Sequence, residues 1–154
     1  MSDATRHFFS GSWSEFYDRL MVPVFFEPYP RHLAERLKGM TSGHVLEIAA
    51  GTGVVTRELM RTLPHSVAIT ANRSQPAHAR PCAIHPGSER VRWQQADALA
   101  LPFDDFRFDA IVCQFGVMFF ADKQAAFREA LRVLRPGGRF LFEVWGRREE
   151  IAIQ

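Results

Sequence analysis

Four short runs of almost unbroken apolar residues, HVLEIAA, SVAITA, FDAIVCQFGV and RFLFEVW, alternate along this chain with stretches of helical period. A strand that is apolar on both sides must be covered on both sides, the condition inside a parallel sheet with helices above and below. VVTRELMRTL spaces Val55, Leu59 and Leu63 one helical turn apart, and DKQAAFREALRVL turns Phe127, Ala130, Leu131 and Leu134 inward. Asp122 is placed to N-cap that helix, with Arg132 and Arg135 at its negative end. RVRWQQA adds a strand in which Val91 and Trp93 alternate with arginines, and RPGG reads as a turn. Earlier in the chain, a short helix is expected over 14–21, closed by Pro23. Pro28 and Pro30 open another that runs through Leu37, with Leu33, Ala34 and Leu37 on one face. Strands alternating with helices predict an α/β fold of three layers, with a mostly parallel sheet and right-handed crossovers.

The 154 residues suffice for one domain. A net charge of +2, with basic residues scattered, argues against a nucleic-acid or anionic-membrane surface. Cys82 and Cys113 have no metal-ligand spacing and make no disulfide framework, so no metal is expected. MSDATRHFFSGS lacks the apolar run of a signal peptide, and no stretch is long and apolar enough to span a membrane, so a cytoplasmic protein is the expectation.

In an open parallel sheet, ligands bind beyond the carboxyl ends of the strands. The first strand runs into Glu47-Ile-Ala-Ala-Gly51-Thr-Gly53, where glycine permits a tight turn and close approach of a ligand. A dinucleotide site wants a third glycine three residues after Gly53, and Thr56 stands there instead. An acidic residue ahead of the glycines suits a cationic ligand better than a phosphate. A plain strand-to-helix turn without a ligand stays open as well.

VLEIAAGTG, QADALALPF, FDAIVCQFGVMFF and FREALRVLRPGGRFLF, in that order, resemble the class I S-adenosylmethionine-dependent methyltransferases. Among these the likeness is closest to the small-molecule group that includes the ubiquinone and menaquinone biosynthesis methyltransferases. It covers about 15–146 with one gap, and implies a Rossmann-like sheet, S-adenosyl-L-methionine as cofactor and a small-molecule methyl acceptor. By this resemblance the loop holding Glu47, Ala49, Gly51, Thr52 and Gly53 lies under the methionine and ribose of the cofactor, with Ala49 in the place of the family's first glycine. Asp97 and Ala98 match the adenine clamp, although an Asx-turn alone also explains Asp97. Gln114 borders the methionine moiety and the acceptor. The aromatic front, with Tyr17, Phe26 and Tyr29, corresponds to a lid over the acceptor, within an N-terminal helical segment 1–40 ahead of a core at 41–154. No catalytic residue is nominated. Methyl transfer needs alignment and exclusion of water more than a general base, and good alignment contributes roughly 7–11 kcal/mol.

The likeness breaks at NRSQPAHARPCA, residues 72–83. The family's second strand ends in an acidic residue that holds the ribose hydroxyls, with an amphipathic helix behind it. Here Arg73 stands in that slot, where a guanidinium would face a cationic cofactor, and Asn72 is the neutral acceptor beside it. Pro76 and Pro81 oppose the helix. An allowed set of codons for this string, read one base later, gives TDLNQPMLDHA, which restores both the acid and the helix. A pair of compensating frame slips bounding 72–83 is therefore expected, and third bases in the coding DNA that forbid the shifted reading would exclude it. The family's sheet also carries two strands beyond RFLFEVW. The expectation is a methyltransferase core lacking its last two strands, with 139–145 an exposed apolar edge that self-associates and an activity impaired by both departures. A non-catalytic relative of the same fold and a nicotinamide-dependent oxidoreductase are the rival readings.

Overall fold

In a computed structural model of the chain, which describes residues 28–74 and 88–146, the apolar runs come together as one five-stranded sheet. The strands are β1 (Gly43–Glu47), β2 (Val67–Arg73), β3 (Val91–Gln95), β4 (Phe108–Gln114) and β5 (Leu134–Glu143). Their spatial order is β3-β2-β1-β4-β5, and every neighbouring pair is parallel. The order reverses between β1 and β4, and in open sheets of this kind the ligand crevice lies at that switch point, outside the carboxyl ends of the strands.

Among the described residues three α-helices complete the layers: α1 (Pro28–Glu35), α2 (Val54–Thr62) and α3 (Lys123–Val133). Strand side chains alternate between the two faces, and the core divides accordingly. Leu33 and Leu37, with Leu59 of α2, pack on Val45, Ile69, Ala110 and Val112. On the other face Ala130 and Val133 of α3 pack on Leu46, Ile48, Phe108 and Ile111. Asp122 caps α3, accepting from the Ala125 amide at 2.9 Å. Arg90 closes α2 from a distance. Its Nη2 donates to the carbonyls of Leu59, Met60 and Leu63 at 3.5, 3.2 and 3.0 Å, supplying a donor at a helix end where carbonyls run short of internal partners.

Several local expectations need correction. Leu131 does not face inward; it is 62% exposed, because one residue past Ala130 rotates the side chain by about 100° away from the buried stripe. RPGG is not a turn ahead of a strand but an irregularity inside β5. Leu134 pairs with Phe108 and Arg139 already pairs with Ala110, so the residues between them loop out of the ladder. Gly137 takes a φ of +78° there, and a Cβ on Gly138 would lie 2.7 Å from Leu134 Cδ1. Helix α1 ends at Glu35 and passes into a turn, with Leu37 still buried. The helix expected over 14–21 and most of 72–83 lie outside the described residues.

On the outer strand β5, Phe142 is 43% exposed, with Val144 and Trp145 exposed just beyond its end. Among the described residues no helix is long and apolar enough to cross a membrane.

Candidate functional site

Glu47, the last residue of β1, is buried, and the Thr56 hydroxyl one turn into α2 donates to its Oε2. Burial pushes the carboxyl up to about 8, although the Thr56 bond and the Arg57 charge both pull it down. Thr56, whose side chain filled a position where a dinucleotide site wants glycine, is thus the partner of this acid. The chain then leaves the sheet through three left-handed residues, Ala49 at φ 59°, Gly51 at 53° and Gly53 at 81°. An alanine at such a φ carries strain of roughly 1–2 kcal/mol. The turn is held by Gly53 N–H donating to the Ala50 carbonyl at 2.8 Å and by Arg57 Nη1 donating to the Thr52 carbonyl at 3.1 Å.

The neighbouring loops converge on this turn. A Cβ on Gly116, just past β4, would lie 2.5 Å from the Ala49 Cβ and 2.8 Å from Cys113 Sγ, so only glycine lets the β1 and β4 loops touch. Cys113 itself is a core thiol, fully buried and pushed up to about 12 by that burial. On the other side, the Ala50 amide donates to the Asn72 carbonyl at 2.8 Å, and the Ala96 amide to the Arg73 carbonyl at 3.1 Å. The ends of β1, β2 and β3 are therefore stitched together by backbone.

Asn72 is buried, and its Nδ2 has no hydrogen-bond partner. The Arg73 guanidinium lies over the Trp93 ring of β3 at 5.0 Å, a cation–π contact between neighbouring strands. Asp97 is exposed and forms the Asx-turn, accepting from the Leu99 amide at 3.0 Å, while Ala98 is buried. The loop beyond is clamped to α3. Arg132 Nη2 donates to the Leu101 carbonyl at 2.8 Å and Nη1 to the Phe103 carbonyl at 2.7 Å, while Glu129 accepts from the Leu101 amide at 2.7 Å.

On the far side of the crevice, Gln114 of β4 lies level with Glu143 of β5. His32 Nδ1 of α1 sits 3.1 Å from Glu143 Oε1. Burial raises the Glu143 carboxyl above the usual range, against His32, which lowers it. Tyr29 packs edge-on against Phe115 and Trp145, whose rings stack 4.6 Å apart. Tyr17 and Phe26 lie outside the described residues. By strand alternation Glu47, Arg73, Gln114 and Glu143 share the sheet face that α1 and α2 cover, whereas Asn72 points to the opposite face.

Sequence reasoning overlooked four participants: Thr56, the Arg132–Glu129 clamp, His32 and Glu143. A signal existed for Glu143, a lone acid in the apolar run FLFEVW, but none for His32 or for the reach of Arg132 to the Leu101 and Phe103 carbonyls, partners that lie far away in sequence. A cavity of about 300 Å³ bounded by Ser42, Asp109, Arg135 and Gly137 sits at the opposite, amino edge of the sheet. It is built from turn structure, with Asp109 accepting from the His44 amide and from Arg135.

Comparison with known proteins agrees with this arrangement. A family model described as a methyltransferase domain matches residues 46–142. The demethylmenaquinone methyltransferase of Thermus thermophilus is 43% identical over 99 residues, which are 63% of this chain and 44% of the relative. The ubiquinone/menaquinone biosynthesis C-methyltransferase UbiE of Saccharophagus degradans is 43% identical over 110 residues, 68% of this chain and 44% of the relative. The crystal structure of a proposed S-adenosyl-L-methionine-dependent methyltransferase from Methanococcus maripaludis superposes with a TM-score of 0.72 at 26% identity, covering 86% of this chain and 63% of that one. The chain thus spans less than half the length of these two curated relatives. With the sheet order, the glycine turn after β1 and a family match over well more than half of its residues, this chain belongs to the methyltransferase domain family of the S-adenosylmethionine-dependent class.

Proposed function

We propose that the protein transfers a methyl group from S-adenosyl-L-methionine to a small apolar or aromatic acceptor. The observation that carries this reading is the meeting of the β1 and β4 loops at Ala49 and Gly116 directly above a buried acid, Glu47. When bound, the cofactor supplies a methyl group on a sulfonium that brings its own leaving group. The chain's own residues hold and align. Glu47 turns its carboxylate toward the cationic methionine end, and the backbone of Gly51, Thr52 and Gly53 allows close approach. Asp97 and Ala98 meet the adenine, and Gln114 borders the methionine moiety. The buried Asn72 amide, which lacks a partner, is a neutral hydrogen-bonding group at the ribose end. The fit is incomplete at Arg73, where no carboxylate is present to accept from a ribose diol.

Calorimetry with S-adenosylhomocysteine tests the reading. Saturable binding is expected, and the absence of both heat and thermal shift at millimolar ligand overturns it. Arg73→Asp is expected to tighten that binding about tenfold or more, the value of one charge-assisted hydrogen bond. An unchanged affinity in that variant removes the account of the ribose slot. A second reading, a non-catalytic protein of the same fold, is favoured by the guanidinium of Arg73, and it predicts no binding in either chain. The helical segment 1–40 acts in the proposed reading as a lid over the acceptor, through Tyr17, Phe26 and Tyr29. The cytoplasm is the proposed location. Exposed Phe142, Val144 and Trp145 favour self-association along 139–145, which sedimentation at increasing concentration reads directly.

A further inference from the structure

Glu47 and Thr56 form a pair behind the glycine turn, one at the end of β1 and the other one turn into α2. The glutamate is 2% exposed and the threonine is fully buried. Only one of the two carboxyl oxygens is engaged. Oε2 accepts from the Thr56 hydroxyl, while Oε1 makes no hydrogen bond to a described residue and is not sealed from solvent. A threonine inside a helix can turn its hydroxyl back to the carbonyl four residues earlier. For Thr56 that carbonyl belongs to Thr52, and Arg57 Nη1 donates to it at 3.1 Å. The hydroxyl proton goes to Glu47 instead. A β-branched side chain in a helix has few rotamers, so the hydroxyl is held in place by its own stem.

Few charged groups face this pair. Arg57 of α2 lowers the carboxyl, against the burial that pushes it up to about 8. From β4, the Cys113 thiol lies near enough to be raised by the Glu47 charge, and it stays neutral. Level with Glu47 on the two neighbouring strands are Ala71 and Val112, which carry no charge. Leu33 and the residue after α1, Leu37, pack on this face. Further along it, Arg73 lies over Trp93, and Glu143 is bonded by His32 and Gln114. The state of Glu47 is therefore set by burial, by Arg57 and by one hydroxyl. A carboxyl whose Oε2 receives a donor carries its own proton on Oε1. A proton and an arriving ammonium then compete for the same oxygen. The exchange balances simply: the Oε1 proton leaves to water, and an ammonium N–H donates to the carboxylate in its place.

We propose that Thr56 is a positioning residue, whose hydroxyl occupies Glu47 Oε2 and so presents Oε1 to the ammonium of the cofactor's methionine end. The ligand in this inference rests on the methyltransferase reading; the Thr56–Glu47 pair does not. Glu47 touches the ligand, and Thr56 acts through Glu47. The side chain that stands where a dinucleotide site wants glycine thus serves a cationic ligand.

The test replaces the hydroxyl by a methyl group of the same shape. A hydrogen bond to a carboxylate is stronger than one to the neutral acid, so Thr56→Val should ionise Glu47 about one pH unit later. Carboxyl carbon NMR of the ligand-free chain reads that midpoint, and Thr56→Ser, which keeps the hydroxyl, should restore it. Calorimetry with S-adenosylhomocysteine across pH reads the consequence. Thr56→Val is expected to bind about tenfold more weakly at pH 7, with the deficit closing toward pH 10, and Thr56→Ser to stay within about threefold of wild type. In a Glu47→Gln background Thr56→Val should change nothing that depends on pH. A merely structural threonine would give a loss that is the same at every pH. That result, an unmoved midpoint in Thr56→Val, or no recovery with serine would overturn the proposal. Should the valine variant fail to fold, Thr56→Ala carries the same comparison. The two levels separate cleanly. A midpoint that moves, with no S-adenosylhomocysteine binding by any chain, keeps the pair and sinks the methyltransferase reading. Binding with a midpoint that does not move keeps that reading and removes the role of Thr56.

Discussion

At pH 8 to 9, replacing Glu47 with glutamine is expected to raise the unfolding temperature of the ligand-free chain and, in the same variant, to weaken S-adenosylhomocysteine binding about tenfold to a hundredfold. Both effects come from one buried carboxyl. Burial pushes Glu47 up to about 8 in the folded chain from 4.5, so the folded state holds a proton that the unfolded state has released over most of that interval. A group raised in this way contributes stability that is fully present below about 4.5 and is lost as pH rises through about 8. The difference in unfolding temperature between wild type and Glu47→Gln should therefore be small near pH 4.5 and widen up to pH 9 in favour of the variant. Glutamine keeps an oxygen for the Thr56 hydroxyl to donate to and never has to ionise. A constant difference across pH would show that the carboxyl titrates in the folded chain at its ordinary value, without the rise that burial imposes.

Ligand binding reverses the preference. In the proposed reading the ammonium of S-adenosylhomocysteine beside Glu47 favours the carboxylate, so binding below pH 8 is expected to expel a proton. Affinity then rises by up to about tenfold per pH unit between roughly 5 and 8 and levels off above. Calorimetry in buffers of different ionisation enthalpy reads the released proton directly, approaching one per ligand near pH 6. The variant should show neither the slope nor the proton. A carboxyl left uncharged and buried until a cation arrives is costly when empty, which is a physical reason for an acid at the end of an otherwise apolar strand.

The strands and helices were legible because burial on both sides writes a continuous apolar run and burial on one side writes a helical period. Even Asp122, as the N-cap, was visible locally. The same logic failed at Leu131, where an apolar residue at the margin of the stripe faces solvent, and at RPGG, where the chain keeps the β5 ladder after looping out of register. In the site, the glycine turn was legible from backbone needs alone, since Gly51 and Gly53 both take left-handed φ values. The side-chain partnerships were not. Arg73 finds Trp93 only because β2 and β3 are neighbours in register, and Glu143 meets His32 across 111 residues. Nothing in local composition encodes such pairings; they exist only once the sheet order is set.

The Arg132 clamp is the strongest of these long-range partnerships and the one whose loss should be felt furthest. Its guanidinium donates to Glu129 through Nε and Nη2, both at 2.8 Å, and to the Leu101 and Phe103 carbonyls at 2.8 and 2.7 Å. Hydrogen bonding to Glu129 and Asp105 drives the guanidinium still further above its usual range, and Glu129 is held below its own, first by its bond to Arg132. Asp105 is mostly exposed, and its ion pair is screened by solvent, so it contributes little. The two carbonyls are what a substitution would strand. Arg132→Met is expected to cost about 2–4 kcal/mol, read from the denaturant midpoint, because partly buried acceptors lose charged donors and Glu129 loses its partner. Hydrogen exchange should quicken most over 98–103, where the Leu101 amide depends on Glu129 for protection. Lysine at 132 recovers only part of this, since a single ammonium cannot reproduce a planar fork with several fixed donors. The same loop begins with Asp97 and Ala98 at the adenine end, so in the proposed reading a loosened clamp also weakens S-adenosylhomocysteine several-fold while leaving the proton release at Glu47 in place. If Arg132→Met destabilises the chain with exchange over 98–103 unchanged, the guanidinium braces α3 alone and the loop is shaped by its own Asx-turn.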